Sequence, residues 1–227
     1  MSALEKFLRL VMPQSCVCCG MSISGKEMLC KSCLQGVKNT VGEWEYSLKS
    51  YGVNDKFKCK VCGVYSGVLA RNLQRFKFSG KSNYAKGFAV MMDEALAGGK
   101  SEFDIICFVP ITKEKKRKRG YNQSELLAKR LSELKGIPME SLLAKPLETS
   151  PQHELSREAR KINLRGKFTV TRECAGKRIL LVDDILTTGS TMCECAGMLM
   201  KNAAAEVYGI TVAGTHKKRE KGDLADA

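Results

Sequence analysis

Three apolar runs set the tightest limit on what this chain can fold into. They are FDIICFVP (residues 103–110), KRILLVDD (177–184) and EVYGITVAG (206–214). Each has the length and β-branched content of a strand buried on both faces. Segments of helical period separate them. NQSELLAKRLSELKG (122–136) is amphipathic and stops at Gly136, and STMCECAGMLMKNAA (190–204) is a second helix. Upstream, NYAKGFAVMMDEALAGG (83–99) puts Tyr84, Phe88, Met91, Met92 and Leu96 on one face before a double glycine. Strands alternating with helices build βαβ units, so the spacing predicts an α/β fold with a mostly parallel sheet flanked by helices. VYSGVLARNLQRFKFSG (64–80) reads as a short strand, a helix and a basic turn, and the texture changes at its start. Residues 4–12 read as a short helix ended by Pro13, and 216–227 as a polar tail. The predicted division is an N-terminal module (1–63), a core (64–215) and the tail.

The N-terminal module is dense in cysteine. Cys16-x2-Cys19 and Cys30-x2-Cys33 are separated by ten residues. Zinc takes four thiolates in a tetrahedron, and each CxxC turn supplies two. Gly20 follows the first pair, where the backbone must fold around a metal. Cys18 competes with Cys16 for one ligand place. Cys59 and Cys62 form a third pair with no fourth. They either replace a pair in the first site, remain from a second site, or pack within the strand FKCKVCGVY, and packing is the favoured reading. Cys107, Cys174, Cys193 and Cys195 show no ligand spacing, and His153 and His216 are isolated. The start of the chain lacks the pattern of a secretion signal, and no apolar run reaches bilayer length. Eleven cysteines without such a signal argue for metal or free thiols, for no membrane insertion and for the cytoplasm.

The strand ending in Asp183 and Asp184 leads into Thr187, Thr188, Gly189, Ser190 and Thr191. Ligands of parallel α/β sheets bind beyond the carboxyl ends of the strands. A helix N-terminus offers free N–H groups, hydroxyls add donors, and glycine permits close approach. The loop therefore suits a phosphate, the plain alternative being an ordinary Ser/Thr helix cap. It is neither a Walker loop nor a dinucleotide fingerprint, since GxxxxGK[ST] and GxGxxG are both absent. The two acids need partners other than phosphate. Ribose hydroxyls are natural donors to them, with a phosphoryl-bound Mg²⁺ nearby.

An apolar strand, two acids, a short link and TTGST resemble the motif of type I phosphoribosyltransferases that binds 5-phosphoribosyl-1-pyrophosphate (PRPP). The resemblance implies that Asp183 and Asp184 face the ribose hydroxyls and that residues 187–191 hold the 5-phosphate. Further segments are similar to the ComF family. VPITKEKKRKRGYNQSELLA (109–128) resembles its strand, basic loop and RG[FY]NQS element. Gln152, Leu155, Arg160, Asn163 and Phe168 resemble a second stretch, and Tyr65 to Gly80, with Lys77, a third. The helix ending in proline before CxxCG is also similar. Many relatives carry a second full set of CxxC pairs, which this chain lacks.

The net charge of +14, from 38 basic and 24 acidic residues, favours anionic partners. Six of the seven residues from Lys113 to Arg119 are basic. Read as a loop, this run suits pyrophosphate, with Arg119 the foremost contact, or a nucleic-acid backbone through Lys115, Lys116, Arg117 and Lys118. A solvated charge run is the plain alternative. The resemblance implies a role in natural transformation, with single-stranded DNA and a DNA-translocation helicase as partners. The rival functions are an active phosphoribosyltransferase on an unidentified nitrogen acceptor and a PRPP-sensing regulator. Against DNA binding, aromatic content is only 7%, and no base-stacking platform is apparent in the residue order.

Overall fold

The computed structural model describes residues 14–23, 28–40, 42–97, 102–145 and 168–215. The expected helix at 4–12, Gln152, Leu155, Arg160, Asn163, both histidines and the tail lie outside them. A five-stranded sheet forms the centre. Its strands are β3 (Gly42–Ser47), β4 (Lys56–Val61), β5 (Ile105–Phe108), β8 (Arg178–Leu186) and β9 (Glu206–Gly214), in the order β3-β4-β9-β8-β5. The β4-β9, β9-β8 and β8-β5 pairs are parallel, and β3 runs antiparallel at one edge. Short pairs β1-β2 (Gln14–Ser15, Ser22–Ile23) and β6-β7 (Leu143–Ala144, Thr169–Val170) lie outside it. The described helices are α1 (Lys31–Thr40), α2 (Gly67–Phe78), α3 (Tyr84–Leu96), α4 (Lys113–Arg119), α5 (Gln123–Lys135) and α6 (Ser190–Lys201).

Two apolar clusters cover the two faces. Leu180, Val182, Ile210 and Val212 pack with Phe76, Phe88, Met92, Leu127 and Leu131 of α2, α3 and α5. Ile179, Leu181 and Val207 pack with Met192, Cys195 and Leu199 of α6. This is the alternation that central parallel strands require when both faces are covered.

The expected boundary at residue 63 falls within the stretch of chain that builds the central sheet. β3 and β4 precede it, yet β4 pairs directly with β9, Lys58 opposite Tyr208 and Val61 opposite Thr211. The composition changes here because these strands alternate charged and apolar residues, one side toward the core and the other toward solvent. The cysteine segment also shares the core. Cys16, Val17, Leu29, Cys30 and Val37 pack with α2 and α3. Asn72 donates to the Val17 carbonyl at 2.9 Å. Gly87 of α3 permits this approach, since a Cβ there would lie 2.6 Å from Met28 Cβ. The strand expected at Val64 is one isolated bridge to Gly214.

Candidate functional site

β8 lies between β5 and β9 and carries the two acids toward its C-terminal end, running on through Leu186. Its face alternation slips at them. Leu180 and Val182 belong to one cluster, Ile179 and Leu181 to the other, but beyond the acids Ile185 joins the first and Leu186 the second. Asp183 is half-buried. Its Oδ1 accepts from the Ser124 hydroxyl at 2.7 Å and from the Asp184 N–H at 2.9 Å. Burial first, then the charge of Asp184, pushes its carboxyl up to about 7, against the pull of those two donors and Lys77. Asp184 is 5% exposed, and Lys77 Nζ lies 2.9 Å from its Oδ2. One acid is thus shifted toward its protonated form and the other is ion-paired. The strand end carries far less negative charge than two free carboxylates, so an anion can sit beside it.

The turn after β8 brings hydrogen-bond donors to the same end. Gly189, at φ +81°, precedes α6, and the Cys193 N–H closes back on its carbonyl at 2.8 Å. A Cβ on Gly189 would lie 2.5 Å from the Tyr46 ring, so no larger residue fits without displacing that ring. Thr187, Thr188 and Thr191 are exposed or border solvent with Ser190, and the Thr188 and Ser190 hydroxyls lie 2.9 Å apart. The first N–H groups of α6 have no carbonyl partner one turn earlier and carry the positive end of its dipole. Tyr51 donates to the Ser190 carbonyl at 3.3 Å. Tyr46, Tyr51, Lys49, Thr188 and Ser190 line an open cleft of about 890 Å³.

The residues from Arg119 to Ser124 lock this end together. Tyr121 donates to the Phe76 carbonyl. Asn122 caps α5 by accepting from the Ser124 N–H at 3.1 Å, and it donates to the Val109 carbonyl at 3.0 Å. Gln123 donates to the Phe76 and Lys77 carbonyls at 3.5 and 3.4 Å. Arg119 donates to Gln123 Oε1 at 3.1 Å and lies over the Phe78 ring. These contacts hold the end of α2, and so Lys77, against the end of β5. The basic run before them is a helix, not a loop. Thr112 caps α4 by accepting from the Lys115 N–H, Glu114 sits in the first turn, cations fill the last, and Gly120 ends it. Residues 113–118 are exposed, with Lys116 paired to Glu125 at 2.7 Å.

Cys16, Cys19, Cys30 and Cys33 converge, their sulfurs all within 4.8 Å of one another. Zn–S bonds of about 2.3 Å in a tetrahedron put sulfurs about 3.8 Å apart, and Cys19 Sγ lies 3.7 Å from Cys30 Sγ. The N–H groups of Cys30 and Cys33 point at Cys16 Sγ and Cys30 Sγ, both at 3.4 Å. Burial opposes ionisation of Cys16, but N–H groups of Cys19, Cys30 and Cys18 hold its thiol down at about 7. The cluster can hold a metal ion such as zinc. Cys18 stands outside it, and Cys59 and Cys62 are fully buried packing residues of β4 and its end.

A phosphoribosyl transferase domain matches residues 108–227, which start at the last residue of β5 and take in β8, the turn, α6 and β9. The DNA utilization protein YhgH of Salmonella typhimurium is 30% identical over 85% of this chain and 80% of its own. Competence protein F of Haemophilus influenzae is 31% identical over 66% of this chain and 69% of its own. This chain belongs to the ComF family. Competence protein ComFC of Bacillus subtilis is 27% identical over 66% of this chain and 61% of its own.

In this ComF-family chain the structure gathers Lys77, Asp183 and Asp184 directly, with residues 187–191 following on from β8. Arg119 stands one step away, through Gln123. Lys115, Lys116, Arg117 and Lys118 lie on α4, where Lys116 pairs with Glu125 rather than with the acids. Sequence reasoning does not reach Ser124, Tyr46 and Tyr51. Ser124 belongs to the RGYNQS element, but only the tertiary fold matches it to Asp183. GEWEYS, with aromatic residues at alternate places, carries the period-2 signal of the strand that delivers Tyr46. No helix among the described residues is long and apolar enough to cross a membrane.

Proposed function

We propose that this protein binds PRPP, or a related phosphoribosyl ligand, and single-stranded DNA, and acts in DNA uptake during natural transformation. The observation that carries the reading is two charge-compensated carboxylates on one strand end, followed by a glycine turn and a helix N-terminus. Asp183 and Asp184 accept from the ribose hydroxyls. Residues 187–191 take the 5-phosphate. Lys77 and Arg119 lie on the side where pyrophosphate, with its Mg²⁺, needs positive charge. Zinc in the four-cysteine cluster holds the N-terminal segment, and thiolates in that state suit a reducing cytoplasm. The names of the relatives, a DNA utilization protein and competence proteins, support the DNA partner, and a DNA-translocation helicase fits the same process. The exposed cations Lys115, Lys116, Arg117 and Lys118 on α4 offer phosphate contacts.

Calorimetry tests the ligand. PRPP with Mg²⁺ binds the wild type, and an Asp183→Ala, Asp184→Ala double variant loses that binding; equal affinities refute the assignment. Turnover is a second reading, favoured by one observation. Asp183, half-buried beside Asp184 and raised by burial and that charge, can exchange a proton with a nitrogen acceptor. Pyrophosphate release on adding a nucleobase tests it.

A further inference from the structure

Phe78 ends α2 and is 69% exposed. Single exposed apolar residues are ordinary and need no explanation, but this one is held in a specific setting. The Arg119 guanidinium lies 5.1 Å from its ring centroid. Arg119 is in turn fixed by Gln123 at 3.1 Å, and Gln123 grips the carbonyls of Phe76 and Lys77. The preceding residue, Lys77, pairs with Asp184. On the other side, Arg119 is the last residue of α4, whose residues 113–118 are exposed and include five cations. A fixed aromatic and guanidinium pair therefore stands between the carboxylate end of β8 and a cationic helix.

We infer that Phe78 and Arg119 form a stacking platform for one base of a single-stranded nucleic acid, with α4 taking its phosphates. This deepens the DNA part of the proposed function and rests on it. Aromatic rings and guanidinium planes stack on any base, and only a single strand offers base faces. Five exposed cations within six residues complement a polyanion rather than a neutral protein face. A phosphate chain lying along α4 would bring a base to its end, where the platform lies.

The test uses the full chain and fluorescein-labelled oligothymidylate in an anisotropy titration. Phe78→Ala weakens binding about tenfold, in the range of one missing stack. The salt slope stays unchanged, because every cation that meets a phosphate is kept. The penalty vanishes on an abasic strand of the same length, and Phe78→Trp restores tight binding. An unchanged melting temperature confirms that the exposed ring is not needed for folding. Wild-type binding with no Phe78→Ala penalty overturns the platform and leaves the DNA reading standing. No wild-type binding overturns the DNA reading itself. A penalty that persists on the abasic strand overturns stacking, and equal affinity for duplex overturns the single-strand assignment.

Discussion

Replacing Asp183 by asparagine separates what this carboxylate costs the fold from what it does for a ligand. Asparagine keeps the shape, and its amide oxygen still accepts from Ser124 Oγ and the Asp184 N–H. What it removes is the charge. Burial and Asp184 raise the Asp183 carboxyl from a usual 3.8 to about 7. At about 1.4 kcal/mol for each tenfold change, holding it ionised costs at most about 4 kcal/mol. Partial exposure and local relaxation cut that, so the expected gain for the variant is about 1–3 kcal/mol. The sign follows from protonation. Below about pH 4 the acid is protonated folded or unfolded, and wild type and variant are equally stable. Between about pH 4 and 7 the unfolded chain releases the proton and the folded chain keeps it, so wild type loses stability relative to the variant. Above about pH 7 the difference is full and constant. Urea unfolding of both proteins at a series of pH values measures it, and the shared cysteine site cancels in the difference. A gap that does not change with pH, or a variant less stable at about pH 8, refutes the reasoning.

Other residues give further checks. Gly189→Ala introduces a Cβ 2.5 Å from the Tyr46 ring at φ +81°. The left-handed backbone alone costs about 1–2 kcal/mol, so urea unfolding shows at least that destabilisation, and adding Tyr46→Ala recovers the steric part but not the backbone part. Cys16→Ser removes a ligand from the four-sulfur cluster. Elemental analysis finds one zinc per wild-type chain and little in the variant, and a folded, metal-free wild type contradicts the metal site. Neutralising Lys115, Lys116 and Arg117 flattens the salt slope of single-strand binding by about 0.7 for each phosphate that is no longer neutralised.

Local pattern carried much of this structure. Runs of apolar residues marked β5, β8 and β9, because parallel strands covered on both faces are apolar on both. Chemistry at fixed spacing marked the four cysteines, which need only two tight turns to meet. β3 escaped because its glutamates face solvent at every second place, and composition averages that alternation into a polar stretch. The run from Lys113 to Arg119 looked like a loop because like charges repel, yet a capping threonine and the helix dipole suffice for two turns. The pairs Ser124–Asp183 and Lys77–Asp184 join residues 59 and 107 positions apart and follow only from packing α2 and α5 on β8. They explain how two adjacent acids can share one strand end, a question that the residue order raises and only the fold answers.

The most direct measurement is a crystal structure with PRPP and Mg²⁺ bound. The account predicts ribose hydroxyls within hydrogen-bond distance of Asp183 and Asp184, with the 5-phosphate on the N–H groups and hydroxyls of residues 187–191. A ligand seated elsewhere, or a phosphate on the carboxylate side with the turn empty, would contradict it.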